Sequence, residues 1–493
     1  MNDARPHDRR SARIEQLDRL LEQAPDAVEA RYERAGLLRE QGAFEKAKCD
    51  YLELIRRKPN DFGVLNDFGT LALKAGYGSA ARSLFEEAVR HHPNNATGHV
   101  NLANLLLLLN EHDRARAHFA AALAADPGHI HAHRGMANLL AEVGDAAGAR
   151  HHRDLGFKTD FLTTLPYRGT EVPIRVLLLI SATGGNTPTA TLLDDTVFQT
   201  TALAAEYYDG RLPLPSHDLI FNGIGDADLC GEGLAAASSI LARAKAPVIN
   251  HPRAVGKTGR LANAERLRGI PNLKVPRVVR LPRRSVAGPQ AAETVAGRRL
   301  SFPLLARAPG FHTGQHFIRA ETPAALVAAV ESFPADDVWL IEPLDARDAG
   351  GRFRKYRVMI VDRRLYPLHL AISGRWKVHY YTADMAHSAD NRAMEAPFLQ
   401  DMPNALGPRA MAALQRVADA LELDYGGIDF AVDREGDVLF FEANATMVMV
   451  PLSADEKWSY RRPAFDAVFA AVRTMLMERS GKRACHARSA SAQ

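Results

Sequence analysis

Apolar and polar positions follow two different rhythms along this chain. Up to residue 157 apolar residues recur at helical spacing, and prolines at Pro25, Pro59, Pro93 and Pro127 punctuate them every 34 residues. Small residues keep the same phase: Ala35, Gly69, Ala103 and Ala137 form one series, and Ala47, Ala81, Ala115 and Ala149 a second. Tyr51, Phe85 and Phe119 form a third, and Gly42 with Gly76 a shorter one. Small residues let paired helices approach closely, an aromatic ring fills the gap, and proline closes the second helix. The pattern predicts a helical solenoid: a half repeat before Pro25, three full repeats, and a last helix pair over 130–156 as cap.

From residue 172 the rhythm changes to short β-branched and leucine runs. Residues 174–180 read as a buried strand, 192–207 as a helix, 218–221 as a strand, 234–246 as a helix and 248–250 as a strand, which predicts a small parallel sheet. Further on, 302–306, 338–344, 358–361 and 365–372 read as strands, 407–421 as an amphipathic helix and 463–478 as a closing helix. The glycine turn at Gly184 and Gly185 fits neither a dinucleotide fingerprint nor a P-loop. The expected domains are a repeat array over 1–157, a small α/β domain over 172–255, a larger α/β domain over 256–480 and a disordered basic tail over 481–493.

The strongest chemical signal is a hairpin formed by residues 427–432 and 438–444 around a four-residue turn, 434–437. That turn sets Asp429 opposite Glu442. One face then carries Ile428, Phe430, Val432, Leu439, Phe441 and Ala443, and the other Asp429, Glu442 and Asn444. Facing carboxylates repel, and a hard cation between them removes the problem. Their oxygens suit Mg²⁺, with Mn²⁺ an alternative. Two solvated charges on an edge hairpin are the plain alternative.

Composition narrows the function classes. The 62 Lys and Arg against 58 Asp and Glu leave a formal charge of +4, not the one-sided basicity that nucleic-acid binding usually requires. The first residues carry no apolar leader and no later run reaches membrane-spanning length, so a cytoplasmic protein is expected. Cys49, Cys230 and Cys485 lie far apart and suggest no disulfide framework, and no zinc spacing occurs among the histidines.

Two resemblances follow. The 34-residue period resembles the tetratricopeptide repeat (TPR), which implies a peptide or protein partner; Asn66, Asn101, Asn104, Arg134 and Asn138 are polar residues for such a groove, and a solvated helix face accounts for them equally. Asp429, followed by Glu442 and Asn444 at the end of the next strand, resembles the metal-binding hairpin of the ATP-grasp ligases, the superfamily of glutathione synthetase and D-alanine:D-alanine ligase. The fold class implied is an α-helical TPR solenoid followed by α/β, an ATP-grasp fold preceded by a small parallel-sheet domain. By that resemblance Asp429, Glu442 and Asn444 hold the metal, and Arg260 and Arg307 hold the phosphates of ATP. The loop with Gly310, His312 and Gly314 covers those phosphates. Glu342 and Leu344 hold adenine by backbone bonds, with Asp345 at the ribose. Lys355 and Arg357 share one side of a strand, and Arg357, with Lys355 second, steadies the transferred phosphoryl group.

Two departures stand out: arginine at 307 replaces the family's lysine, and Ala445, Thr446 and Met447 replace its usual proline and glycine turn. Trp376, Lys377, His379 and Tyr380 would shape an acceptor pocket or simply pack as an aromatic edge. The activity implied is ADP-forming joining of a carboxylate to an amine or thiol, with the repeat array recruiting a peptide or protein. A nucleotide-binding scaffold without ligation and an ATP-grasp kinase are the alternatives.

Overall fold

The computed structural model describes residues 6–311, 314–378, 380, 383–449, 452–453 and 455–482. The expected tail beyond residue 482 lies outside them. The chain divides into two compact units, one running through Pro173 and including Asp195–Gln199, the other comprising Ile174–Asp194 and the chain from Thr200. The first unit thus extends past residue 157 and reclaims a short later segment.

The first unit opens with one helix, α1 (Pro6–Gln23). Helix pairs follow: α2 (Val28–Glu40) with α3 (Phe44–Arg57), α4 (Phe62–Lys74) with α5 (Gly78–His91), α6 (Ala96–Leu108) with α7 (His112–Ala125), and α8 (Ile130–Glu142) with α9 (Ala146–Phe157). A short strand, β1 (Leu162–Thr164), comes after them. This is the repeat solenoid expected from the prolines. Its punctuation is built at atomic level: Asp61, Asn95 and His129, again 34 residues apart, each accept a hydrogen bond from a backbone N–H of the first turn that follows. Gly42, Gly76, Asn110 and Gly144 take a positive φ at the matching turn, so the short glycine series runs through all four pairs, asparagine serving once. Ala35, Ala47, Ala81, Ala103, Ala115 and Ala149 are buried, as are the rings of Tyr51, Phe85 and Phe119. At Gly69 a Cβ would sit 2.6 Å from the Phe85 ring, which is why the alanine of the other repeats is missing there.

Among the described residues the second unit contributes strands to three sheets. In the first, β2 (Ile174–Ile180), β4 (Leu219–Asn222) and β5 (Val248–Ile249) pair in parallel, β3 (Phe198–Ala204) lies beside β2, and α10 (Gly231–Leu241) crosses between β4 and β5. The helix expected over 192–207 is instead a turn followed by β3. Its Val197, Phe198, Thr200 and Thr201 are β-formers, and their pleated packing overrides the apparent helical spacing.

Between this sheet and the next come α11 (Pro252–Val255), α12 (Arg260–Arg266) and β6 (Leu273–Lys274). The second sheet is antiparallel, ordered β7-β10-β8-β9, from β7 (Val278–Pro282), β8 (Leu304–Arg307), β9 (Phe317–Ala320) and β10 (Asp337–Ile341); α13 (Ala291–Gly297) and α14 (Pro323–Val330) belong to the same segment.

The third sheet is ordered β12-β11-β13-β14-β6, from β11 (Phe353–Val361), β12 (Arg364–Ser373), β13 (Tyr425–Val432) and β14 (Val438–Asn444), with β6 parallel at its edge. Asp362 and Arg363, both at positive φ, form the tight β11–β12 turn. Helices α15 (Ala389–Gln400), α16 (Met402–Leu421) and α17 (Arg462–Arg479) complete the unit. Helix α16 begins before the expected Gly407, where a left-handed residue kinks it. One core joins the buried faces of the first and third sheets, with Leu177, Ile220, Val358, Ile428 and Phe430 among its members. No helix among the described residues is long and apolar enough to cross a membrane.

Two histidine pairs recur one repeat apart. His99 Nδ1 lies 3.0 Å from His118 Nδ1, and His133 Nδ1 2.8 Å from His152 Nδ1. His99 Nε2 donates to the Pro93 carbonyl and His133 Nε2 to that of Pro127, so each Nδ1 accepts and the partner ring donates. Burial, then the facing imidazole, lowers the pKa of His118 and of His152. Unfolded histidine takes up its proton near pH ~6.5, so the array keeps this stability above that value and loses it as pH falls below, toward the folded pKa. Hydrogen-exchange protection over 96–157, corrected for intrinsic rate, is expected to drop between about pH 7.5 and about 5.5, and His118→Phe with His152→Phe to flatten the drop. Protection that ignores pH in the wild type would contradict the neutral pairing.

Candidate functional site

One row of paired positions crosses four strands of the third sheet, and every residue in it is polar. His369 on β12 pairs with Arg357 on β11, Arg357 with Asp429 on β13, and Asp429 with Glu442 on β14. Asp429 therefore faces Glu442 as the sequence suggests, but by another route. The loop spans 433–437, one residue longer than the expected turn, and a β-bulge at Phe441 restores the register. The faces change accordingly: Val438, Phe440 and Ala443 join Ile428 and Phe430 in the main core, while Leu439 and Phe441 lie with Ala431 on the side of the polar row.

The facing carboxylates are neutralised by cations of the chain itself. Arg357 Nε and Nη2 donate to the two oxygens of Asp429 at 2.6 and 2.8 Å, and Lys355 Nζ donates to Oδ2 at 3.0 Å. Arg260 Nη2 donates to Glu442 Oε2 at 2.8 Å, and Arg307 stands 3.9 Å from the same oxygen. Asn444 Oδ1 accepts from the Thr446 backbone N–H and hydroxyl, at 3.0 and 2.9 Å. Burial alone would raise the Asp429 carboxyl, but Arg357 and Lys355 overcome it and hold the group far below the usual carboxylate range. At Glu442 burial acts in the same sense and is outweighed by Arg260 and Arg307.

A cavity of about 900 Å³ lies over this row, between the second and third sheets. Arg260, Arg307, Gly314, Glu342, Leu344, Lys355, Arg357, Asp429, Glu442 and Asn444 all line it. Among its described lining residues eight side chains are Lys or Arg and three are carboxylates. Burial, then Arg260, lowers the pKa of Arg307, and burial, then Arg307, lowers that of Lys377. Cations that weaken one another in this way favour an anionic ligand.

Gly310, at positive φ, lines a smaller adjoining cavity with Asp226, Asp228 and Phe311. The turn from β8 to β9 is held by Arg307 donating to the Phe311 carbonyl and Lys377 to those of Gly314 and Phe317. His312 falls outside the described residues, as do Thr313 and His379. Glu342 exchanges backbone bonds with Arg277, donating to its carbonyl at 2.9 Å and accepting its N–H on the side chain at 3.0 Å. Asp345, unlike its neighbours Leu344 and Ala346, does not line the cavity; it is exposed and paired with Arg347 at 2.6 Å.

Phe441, His369 and Arg461 are among the lining residues that carried no sequence signal as site members. A second bulge displaces His369, since the register of β11 and β12 shifts between Arg357 and Val358. Pro367, inside a strand at that point, is the signal that marks it.

In comparisons with known proteins, residues 11–62 and 66–130 match the family model described as tetratricopeptide repeat. No curated protein sequence matches the chain significantly. Solved structures similar to part of it include MamA, at 16% identity over 30% of this chain and 86% of that one with a TM-score of 0.28. A thermophilic TPR protein of Thermus thermophilus aligns at 23% identity over 31% and 84% with a TM-score of 0.27. YrrB, described as a TPR protein with an unusual peptide-binding site, aligns at 20% identity over 30% and 76% with a TM-score of 0.26. The chain therefore carries TPR repeats over residues 11–130, followed by an α/β region with mixed sheets.

The cation pair around Asp429 generates a stability prediction. Asp429 is 2% exposed, and removing its carboxylate takes away the anion that the half-buried Lys355 and Arg357 both bind. Asp429→Ala is expected to lower stability by about 3–5 kcal/mol in urea denaturation followed at the second unit. A loss under about 1 kcal/mol would show that the triad is not a buried ion network.

Proposed function

We propose that residues 256–480 are an ATP-grasp-type domain that joins a carboxylate to an amine or thiol with Mg·ATP, releasing ADP, and that the repeat array holds a peptide or protein for it. The observation that carries this reading is the cation-rich cavity between the second and third sheets with Asp429 and Glu442 facing each other at its floor. A chain of phosphates satisfies the excess positive charge that the two carboxylates leave unbalanced.

In this reading Arg260 and Arg307 take the phosphates, and Arg307 does so as a planar fork in place of a point charge. Arg357 and Lys355 neutralise charge developing during transfer. Leu344, Ala346 and Phe441 offer an apolar seat for a base. The amide of Glu342 is already given to Arg277, so backbone recognition there falls to Leu344. Asp345 would have to leave Arg347 to meet a ribose.

The oxygen donors of Asp429, Glu442 and Asn444 are of the kind that Mg²⁺ takes, and an ion there would take over those oxygens from Arg357, Lys355 and Arg260 and supply further neutralisation of phosphate. In the chemistry proposed, a carboxylate oxygen attacks the γ-phosphorus, the bond to ADP breaks, and an amine or thiol then displaces phosphate from the acyl phosphate. Closure of the loop around Gly310 and Gly314 would keep water from that intermediate.

A second reading, a nucleotide-binding scaffold that does not ligate, draws on the same geometry. Both oxygens of Asp429 are already held by Arg357 and Lys355.

ADP release with Mg·ATP against pooled amino acids and short peptides separates the readings. Substrate-dependent ADP is expected, falling by about 10²–10³ in Glu442→Gln and in Arg357→Met, and the product mass distinguishes ligation from stable phosphorylation by a kinase. Mg·ATP binding without ADP in any pool would favour the scaffold. Truncation of residues 1–157 is expected to spare turnover of a small acceptor and abolish that of a recruited peptide. Equal loss for both would remove the recruiting role.

A further inference from the structure

Among the described residues, seven of the eight cations that line the cavity stand within 3.9 Å of a carboxylate, the longest of these pairings being Arg307 to Glu442. The eighth is Lys377, in the segment after β12. It makes no ion pair among the described residues, and its pKa is lowered by burial and then by Arg307, with no acid acting to raise it. An ammonium carries three N–H donors. One goes to the Gly314 carbonyl and one to the Phe317 carbonyl at 3.3 Å, which leaves the third without an acceptor among the described residues.

The surroundings hold this ammonium beside Arg307. Gly314 takes a positive φ and has no side chain, and a Cβ there would collide with the Lys377 stem. Lys377 Nζ lies 6.0 Å from the centre of the Phe317 ring, and the Arg307 guanidinium carbon lies 5.7 Å from the same centre. Phe317 is itself the cross-strand partner of Arg307. The two cations therefore stand around one ring and hold carbonyls of one turn, Arg307 through Phe311. Glu442, the acid beside Arg307, is already bound by Arg260. Like charges gathered in this way raise each other's free energy, and an anion that touches both relieves it. A lone carboxylate is matched by the Arg307 fork alone. A phosphate chain offers oxygens on successive phosphorus atoms, one group for a planar fork and the next for a point charge.

We infer that Lys377 is a phosphate-binding residue of this cavity, its third N–H taking an oxygen of a polyphosphate whose adjacent phosphoryl group lies on Arg307. By sequence Lys377 belongs to an acceptor pocket or an aromatic edge; its ammonium instead joins the phosphate side. The assignment deepens the reading of the cavity as a polyphosphate site and depends neither on the base nor on ligation.

The test is calorimetric titration of the full chain and of Lys377→Met with pyrophosphate, without added metal, and separately with adenosine. Methionine keeps the apolar stem and removes the charge and its donors. Saturable pyrophosphate binding is expected, weakened about tenfold in Lys377→Met and less sensitive to salt there, with adenosine affinity unchanged. Lys377→Gln, which can still donate to the turn carbonyls, is expected to show the same loss and serves if Lys377→Met does not fold. A lysine that only ties the turn would move both ligands alike or neither. Equal loss for pyrophosphate and adenosine, pyrophosphate affinity unchanged in the folded variant, or no saturation of the wild type by about 10 mM pyrophosphate overturns the assignment. Pyrophosphate binding that needs Lys377, without adenosine binding, removes the nucleotide reading and leaves the assignment standing. Adenosine binding with pyrophosphate indifferent to Lys377→Met does the reverse.

Discussion

The second unit turns on the grip of Arg357 and Lys355 on Asp429. The carboxylate sits at the middle of a sheet, nearly sealed from water, where an unpaired charge would shift its pKa or unfold its surroundings. Because Arg357 is its cross-strand neighbour, the pair also fixes the order of β11 and β13 at their polar point. Glu442 beside it is tolerable only because Arg260 arrives from α12 and Arg307 from the end of β8. Residues far apart in sequence thus meet around two carboxylates, and the cavity takes its positive character from the surplus.

The repeat unit depends on a different principle. Nothing in it is concentrated at one point: small residues, a ring, a capping acceptor and a left-handed turn recur at the same spacing, and each helix pair closes against the next. That is why it could be read from the sequence. A period repeated down the chain is visible without any knowledge of which residues touch.

The site was only partly legible. Asp429 opposite Glu442 follows from the hairpin, although the loop length assumed was short by one residue and the bulge at Phe441 made up the difference. The cations that surround the two acids come from α12, β8 and β11, and long-range pairing of that kind leaves no local pattern. Residues 192–207 misled because a strand followed by a 3-10 turn can space apolar residues as a helix does. His369 stayed hidden behind a bulge whose marker was a proline. The small parallel sheet was legible, since its strands are short, apolar and bounded by turns.

The bulge at Phe441 changes the parity of β14. Before it, even-numbered residues face the core; after it, odd-numbered ones do, so the strand is two phases of alternation joined at one unpaired aromatic. The end that carries Glu442 and Asn444 is therefore decoupled from the end that carries the turn. Homologous chains gaining or losing a residue near 433–437 could shift the bulge along the strand and keep the acid pair facing, so their alignments here would show a sliding gap beside an invariant polar row.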